Sequence, residues 1–305
     1  MLVVALLAAT AAAFALTQGL KNQPAAIFGT KVPRPVFSPV CGCPTETASI
    51  TVKLRQSDRL DVAIVDGSDR VVRTIESGRE YAKGPVEIEW DGRDDAGKVL
   101  PEGEYKPRIH LRNDRTTYTL PNPIRIDVTA PRLVRFSARP SVISPDGDGR
   151  GDRVIFRYRL SEPARGMLFV DGKRRVRKLF ARRDDSIDWN GKVKGRVLAP
   201  GAHTARLAAV DPAGNLSERI GPIQLVIRYV AIGRKRISVT AGARFALRVS
   251  SDARRVRWSM AGRSGLARPG TLRLRAPLQK GRFTLTVSAN GHATRAAVFV
   301  LEPTR

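Results

Sequence analysis

The stretches that decide the fold are IEWDG at residues 88–92 and IDWNG at residues 187–191. In each stretch an alternation of apolar and polar residues ends in tryptophan, and Asp-Gly or Asn-Gly follows at once. Alternation with period two predicts a half-buried β-strand, and Asp-Gly and Asn-Gly supply the positive φ angles of a tight turn. Trp90 and Trp189 are therefore predicted to end a strand and to fill the core of a β-sandwich.

The two stretches belong to an internal repeat, because other segments agree in the same order. A repeat of about 100 residues that is rich in short strands has the size of an immunoglobulin-like sandwich. The matching segments are AIVDG at 63–67 with LFVDG at 168–172, RVVR at 70–73 with RRVR at 174–177, and VLPEG at 99–103 with VLAPG at 197–201.

Residues 229–305 do not align with the repeat, but they alternate in the same way around a third tryptophan, Trp258, which is predicted to be a core residue. The fold class is therefore all-β: tandem immunoglobulin-like β-sandwiches preceded by one N-terminal hydrophobic helix. The predicted domains are a signal anchor or signal peptide helix at 1–20, a linker at 21–36, a first repeat at 37–129, a second at 130–228 and a divergent third sandwich at 229–305.

The repeat resembles the immunoglobulin-like domain of the flagellar hook-capping protein family, the FlgD-type Ig-like domain, in two tandem copies. The first copy carries the resemblance through WDGRD at 90–94 and PEGEY at 101–105. The second copy keeps SPDGDG at 144–149, but it lacks the Asp after Trp-Asn-Gly and has His203 at the Tyr position. The resemblance covers roughly residues 37–228. It implies the module and its fold, and not a role in flagellar assembly, because such modules occur widely in secreted and surface proteins.

The N-terminal segment 2–20 contains no charged residue, and its length is just enough for a helix to cross a bilayer. One interpretation is an uncleaved signal anchor, which we favour and which makes the protein a single-pass protein of the cell membrane with extracytoplasmic domains. The alternative is a signal peptide cleaved at the small-x-small site 13–15, which makes the protein secreted.

Charge is distributed very unevenly. The chain has 54 basic and 28 acidic residues, a net charge of +26, and residues 1–129 are almost neutral. A field of this kind attracts polyanions such as an anionic cell-envelope polymer. The alternative is arginine scattered over solvated strand faces, which RVIFRYR at 153–159 also fits. No helix-turn-helix, zinc-finger or RNP-type motif predicts sequence-specific nucleic acid recognition.

The two cysteines, Cys41 and Cys43, lie in one predicted loop with a glycine between them. We predict a local structural disulfide, since the tight bend that residues two apart require is one that glycine permits. A strained redox-active pair and a bridge to another chain are the alternatives.

The loop 146–152 brings three carboxylates together, Asp146, Asp148 and Asp152, which could hold a calcium ion. It is not an EF-hand, because Arg150 and Arg157 stand where that loop needs oxygen ligands. An Asp/Gly turn without metal is the alternative that we favour, and we predict no other cofactor.

The sequence offers no catalytic motif of the serine hydrolase, P-loop or zinc protease type. It therefore predicts a non-enzymatic, membrane-tethered extracytoplasmic protein that presents Ig-like modules and binds an anionic polymer through its basic half. The alternative is an accessory protein that positions a separate secreted enzyme, or a redox partner through Cys41 and Cys43.

Overall fold

The structure is a computed structural model and describes residues 2–21 and 25–302. Within these ranges one helix, α1, spans Leu2–Lys21, and all other regular elements are β-strands. The all-β fold class is therefore confirmed. In the same ranges, no helix is both long enough and apolar enough to cross a membrane. The prediction of a membrane anchor over residues 2–20 is therefore not supported.

The chain forms two compact units. Unit 1 comprises Met1–Thr129 and Pro212–Asn215, and unit 2 comprises Ala130–Asp211 and Leu216–Arg305. Unit 2 contains two separate large hydrophobic cores, one built around Trp189 and one beside Trp258. The division of unit 2 into two domains at residue 228 stays a prediction.

Unit 1 is a sandwich of two sheets around one core. The smaller sheet has the order β1-β3-β6, and the larger has the order β2-β9-β7-β4-β5 with β8 paired to β7. The strands are β1 (Ile27–Lys31), β2 (Val36–Phe37), β3 (Ala48–Leu54), β4 (Asp58–Val65), β5 (Val71–Tyr81), β6 (Gly84–Trp90), β7 (Gly103–Leu111), β8 (Thr116–Thr119) and β9 (Ile124–Ile126).

The predicted linker 21–36 is wrong in part, because it contains β1. This strand pairs antiparallel with β3, and Ile27 is buried in the core of unit 1. Ile27 is the one residue of β1 that is buried in this core. A single buried side chain gives no alternation from which the strand could be predicted. Residues 22–24 of the linker lie outside the described residues.

The first part of unit 2 repeats most of these pairings, although β15 and β16 form an additional two-stranded sheet. Strand β12 (Val154–Val170) is 17 residues long. It occupies the positions that β3 and β4 occupy as separate strands in unit 1. Its first part pairs with β10 and β14, and its last part pairs with β13 and β17. The remaining strands are β10 (Leu133–Arg139), β11 (Val142–Ile143), β13 (Lys173–Arg177), β14 (Arg182–Trp189), β15 (Lys192–Val193), β16 (Arg196–Val197), β17 (Gly201–Val210) and β18 (Ile220–Ile227).

The last part of unit 2 is a further pair of sheets, with the orders β19-β21-β24 and β20-β26-β25-β22-β23. Buried Leu and Val side chains alternate with exposed residues along β21 and β24, as period two predicts. The strands are β19 (Ala231–Ile232), β20 (Arg236–Thr240), β21 (Arg244–Ser250), β22 (Val256–Met260), β23 (Arg263–Ala267), β24 (Gly270–Arg275), β25 (Gly281–Ala289) and β26 (His292–Leu301).

The turn after Trp90 requires glycine for two reasons. Gly92 has a φ of +71°, and a Cβ atom there would lie 2.9 Å from Cγ of Pro39 and 3.0 Å from Cζ of Phe37. Gly97, in the next turn, has a φ of +79° and open space around the Cβ position. A side chain at either position would strain the backbone, but only a side chain at position 92 would also overlap with neighbouring atoms.

We expect Gly92→Ala to destabilise unit 1 clearly more than Gly97→Ala. Both substitutions meet the left-handed penalty of about 1–2 kcal/mol, but only the first forces the Pro39 and Phe37 side chains apart, which adds about 1–3 kcal/mol. Denaturant unfolding of the full chain, followed by tryptophan fluorescence, measures the difference. Equal midpoints for the two variants would contradict the packing at Gly92.

Candidate functional site

Trp90 lies in the core of unit 1 and is 1% exposed. Its ring packs edge-on against Phe37 and Tyr105, with ring centroids 5.5 and 5.4 Å away. The indole Nε1 donates to the backbone carbonyl of Arg93 at 3.2 Å. The residue therefore joins the core to its own turn.

Trp189 makes the equivalent contact in unit 2, where Nε1 donates to the carbonyl of Lys192 at 3.3 Å. The second repeat has His203 where the first has Tyr105, and the histidine makes a similar hydrogen bond. In the first repeat, the Tyr105 hydroxyl donates to the carbonyl of Pro101 at 2.9 Å. In the second, Nε2 of His203 lies 2.8 Å from the carbonyl of Ala199, also four residues earlier. The two repeats thus keep one bond with different side chains.

His203 also contacts a carboxylate, since its Nδ1 lies 2.7 Å from Oδ2 of Asp171. Burial raises the pKa of Asp171, but the hydrogen bonds from the Thr204 amide and from His203, with the nearby charge of Arg175, lower it more, so that the pKa lies below its ordinary value. The pair joins the turn after β12 to β17.

Cys41 and Cys43 are joined by a disulfide with an S–S distance of 2.03 Å. Gly42 between them has a φ of +60°, the bend that the sequence required. Thr45 lies against the pair, with Oγ1 2.9 Å from Sγ of Cys43, and donates to the carbonyl of Ala213 at 2.7 Å within unit 1. Both cysteines are half-buried.

The three carboxylates of the loop 146–152 do come together, with one oxygen of each within 4.8 Å of the others. All six carboxylate oxygens accept an N–H bond. The donors are the amides of Gly147 and Gly149 to Asp152, the amide of Asp148 to Asp146, the amide of Arg150 to Asp148, and Nδ2 of Asn290 to both Asp146 and Asp148. These bonds are those of an Asp/Gly turn. The contribution of Asn290 was missed, because nothing local in the sequence links it to the loop.

Two pairs of neighbouring acids, Asp94 with Asp95 and Asp184 with Asp185, also have partners. Asp94 and Asp95 accept backbone amides of their own and a neighbouring strand. Asp184 pairs with Arg159 at 3.3 Å, and Asp185 with Lys178 at 3.1 Å. Burial raises the pKa of Tyr158, whose hydroxyl is 3.4 Å from Asp185. Each acid therefore has a structural partner.

Trp258 differs from the other two tryptophans, because it is only partly buried. The prediction that it is a core residue is wrong to that extent. It lies in β22 directly opposite Gly265 of the edge strand β23, and a Cβ atom at Gly265 would come within 2.9 Å of Nε1. The absence of a side chain at 265 leaves the indole at the border of the core.

Four arginines form what we call the basic face: Arg244 and Arg248 on β21, and Arg273 and Arg275 on β24. All four are exposed and point to one side of the sheet. Arg244 is paired directly with Arg275 across the two strands, an arrangement that destabilises a sheet. Among the described residues, no carboxylate pairs with any of them. The two acids of this part of the chain are engaged elsewhere, Asp252 with Ser144 and Glu302 with Lys280.

Comparison with known proteins finds a family match for part of the first repeat. Residues 44–114 match the family model of the FlgD Ig-like domain, which confirms the resemblance for the first copy, while the tandem count stays a prediction. The basal-body rod modification protein FlgD of Salmonella typhimurium is 37% identical over 76 residues, which are 25% of this chain and 32% of that protein. The chain thus spans about a third of the length of this relative.

Two solved structures also match part of the chain at low identity. FlgD from P. aeruginosa is 23% identical, with 38% of this chain and 74% of that chain covered and a TM-score of 0.23. Fibronectin(III)-like modules of Clostridium thermocellum CbhA are 14% identical, with 66% and 94% covered and a TM-score of 0.36.

We expect unit 2 to lose stability in acid partly through Asp171. A carboxyl with a lowered pKa stabilises the fold above its unfolded pKa of about 4, and this contribution is lost as the pH falls through the folded pKa. Asp171→Asn should therefore lower the free energy of unfolding at neutral pH and flatten its fall in acid. Urea unfolding across the acid range measures this. Asp184→Asn, at an exposed ion pair, is the control, and equal acid slopes in the wild type and Asp171→Asn would contradict it.

The loop 146–152 is expected to hold its conformation without calcium, because its oxygens already accept N–H bonds. Millimolar calcium and a chelator should give the same thermal midpoint, whereas Asp152→Ala, which removes the acceptor of two amides, should lower the midpoint in both. A calcium-dependent rise in the wild type that is absent in Asp152→Ala would show a metal site instead.

Proposed function

We propose that this chain is a non-enzymatic, extracytoplasmic protein that presents Ig-like modules and binds an anionic envelope or extracellular polymer through unit 2. The FlgD-like Ig domain at residues 44–114 is a structural module. The basic face carries the rest of the proposal, because it collects four arginines that have no carboxylate partner among the described residues. A repulsive array of this kind is stabilised when a polyanion supplies the missing charge.

The distribution of charge also indicates that unit 2 contacts the polymer. Of the net charge of +26, the part before residue 130 contributes almost nothing, while residues 229–305 contain two acids, Asp252 and Glu302. Unit 1 has its own ion pairs, such as Arg112 with Asp61 at 2.6 Å and Arg70 with Asp66 at 2.8 Å. Polymer contact is therefore proposed for unit 2, while unit 1 contributes an Ig-like module.

The disulfide supports a location outside the cytoplasm. Disulfides persist in oxidising compartments and are rare where thiols are kept reduced. We therefore propose that residues 2–15 act as a signal peptide and that the mature protein is secreted or retained in the envelope by its polymer contacts.

Binding to a polyanion is expected to be strong at low salt and to fall steeply as salt rises. The full chain, applied to surfaces of alginate or of uncharged dextran, should bind alginate alone. The affinity should fall by at least about tenfold between about 50 and 200 mM salt, as several charge contacts are screened.

The double variant Cys41→Ser/Cys43→Ser should bind alginate as the wild type does, because the disulfide belongs to unit 1. Failure to bind alginate at low salt, or binding that salt does not weaken, would overturn the proposed function. Loss of binding in the cysteine variant would favour an accessory role that works through the disulfide loop.

A further inference from the structure

A cavity of about 600 Å³ opens beside the basic face, within unit 2. Its walls come from both sheets of the last sandwich, because β21 and β24 supply one side and β22 and β23 supply the other. We call it the arginine-rimmed cavity. It is lined by Arg244, Phe245, Ala246, Trp258, Arg263, Arg273, Leu274 and Arg275.

The floor of the cavity is apolar and partly aromatic. Trp258 and Phe245 are partly buried against the core, and Leu274 belongs to the core. The indole Nε1 of Trp258 donates to no group among the described residues, whereas those of Trp90 and Trp189 each donate to a turn carbonyl. The floor thus combines a flat ring face with a hydrogen-bond donor that lacks an acceptor.

The rim of the cavity is entirely cationic. Three of its arginines belong to the basic face, and Arg263 comes from the edge strand β23. No described carboxylate forms an ion pair with any of the four, although Arg112, Arg153 and Arg159 elsewhere in the chain all have such partners. Guanidinium groups bind carboxylate, sulfate and phosphate groups in a bidentate manner, so the rim suits an anionic ligand.

We propose that the arginine-rimmed cavity is the binding site for a segment of an acidic glycan. One sugar ring stacks on Trp258, a ring hydroxyl accepts the hydrogen bond of Nε1, and acidic substituents of this and the neighbouring sugars pair with the rim arginines. The inference rests on the proposed function and adds the place and the chemical class of the ligand.

The shape of the site favours a glycan over single-stranded nucleic acid. Proteins that bind single strands offer successive aromatic platforms along an open basic groove. Here the two aromatic rings line one cavity and do not follow one another along a groove. The cavity also belongs to a chain with a disulfide, so it meets extracellular polymers if the proposed location is right.

The test compares two double variants of the full chain that remove equal charge. Arg244→Gln/Arg275→Gln alters the rim, and Arg257→Gln/Arg295→Gln removes two exposed arginines of the other sheet that form no ion pair with any described residue. With a short oligogalacturonate as the probe, we expect calorimetry to show an affinity loss of at least about tenfold for the rim pair and a much smaller loss for the control pair.

Stability gives an independent readout. Removing the directly opposed Arg244 and Arg275 relieves repulsion, so the thermal midpoint of the rim variant should be unchanged or higher. Trp258→Phe, which keeps an aromatic ring but loses the N–H donor, should weaken oligogalacturonate binding at a temperature well below its own thermal midpoint, which the loss of packed ring area lowers modestly. The fully methyl-esterified, uncharged oligomer should not bind the wild type.

The outcomes separate this inference from the proposed function. Equal losses for the two double variants, with alginate binding intact, would overturn the cavity as the site and leave the proposed function standing. No binding of the wild type to alginate would overturn the proposed function first. Tighter binding of a single-stranded oligonucleotide, with the same dependence on the rim pair and on Trp258, would overturn the glycan as the ligand.

Discussion

The bond from the Trp90 indole to the carbonyl of Arg93 is the contact on which the first repeat depends. A large apolar ring fills the core only if its one polar atom finds an acceptor, because a buried N–H without a partner costs about 1–3 kcal/mol. The acceptor is supplied by the turn that follows the ring itself. That turn has to fold back over Phe37 and Pro39, and Gly92 is the residue that allows it. The packing of the core and the conformation of the turn therefore depend on each other, and the sequence IEWDG at 88–92 contains the residues that both require.

The second repeat shows which parts of this constraint can vary. Trp189 and its turn keep the same bond, whereas the residue on the returning strand changes from Tyr105 to His203 and still reaches the carbonyl four residues earlier. The change adds a bond to Asp171 that a tyrosine does not make. Likewise, β12 runs without interruption where β3 and β4 are separate, because the pairing with β14 shifts between Arg159 and Ala164 and the strand crosses to the other sheet.

Local chemistry made most of the fold predictable from the sequence. Alternation located the strands, and the glycine turns located their ends. What the sequence could not supply was long-range pairing. The strand at Ile27 was assigned to a linker, since one buried side chain leaves no period to detect. The bond of Asn290 to Asp146 and Asp148 joins residues far apart in the chain. Trp258 was predicted to be a core residue, but it is only partly buried. The strand pairing that sets Gly265 opposite it cannot be read from the sequence.

The same limit applies to the arginines. Each arginine of β21 and β24 is an ordinary outward residue when its own strand is considered, and arginine on solvated faces needs no explanation. Only the register puts Arg244 against Arg275 and places Arg273 beside them, next to a cavity whose indole N–H has no acceptor among the described residues. This register sets like charges directly opposite one another, which lowers the stability of the sheet. A feature that the fold does not need and that lowers its stability is best explained by binding, and the chemistry around it is that of an anion with a flat ring.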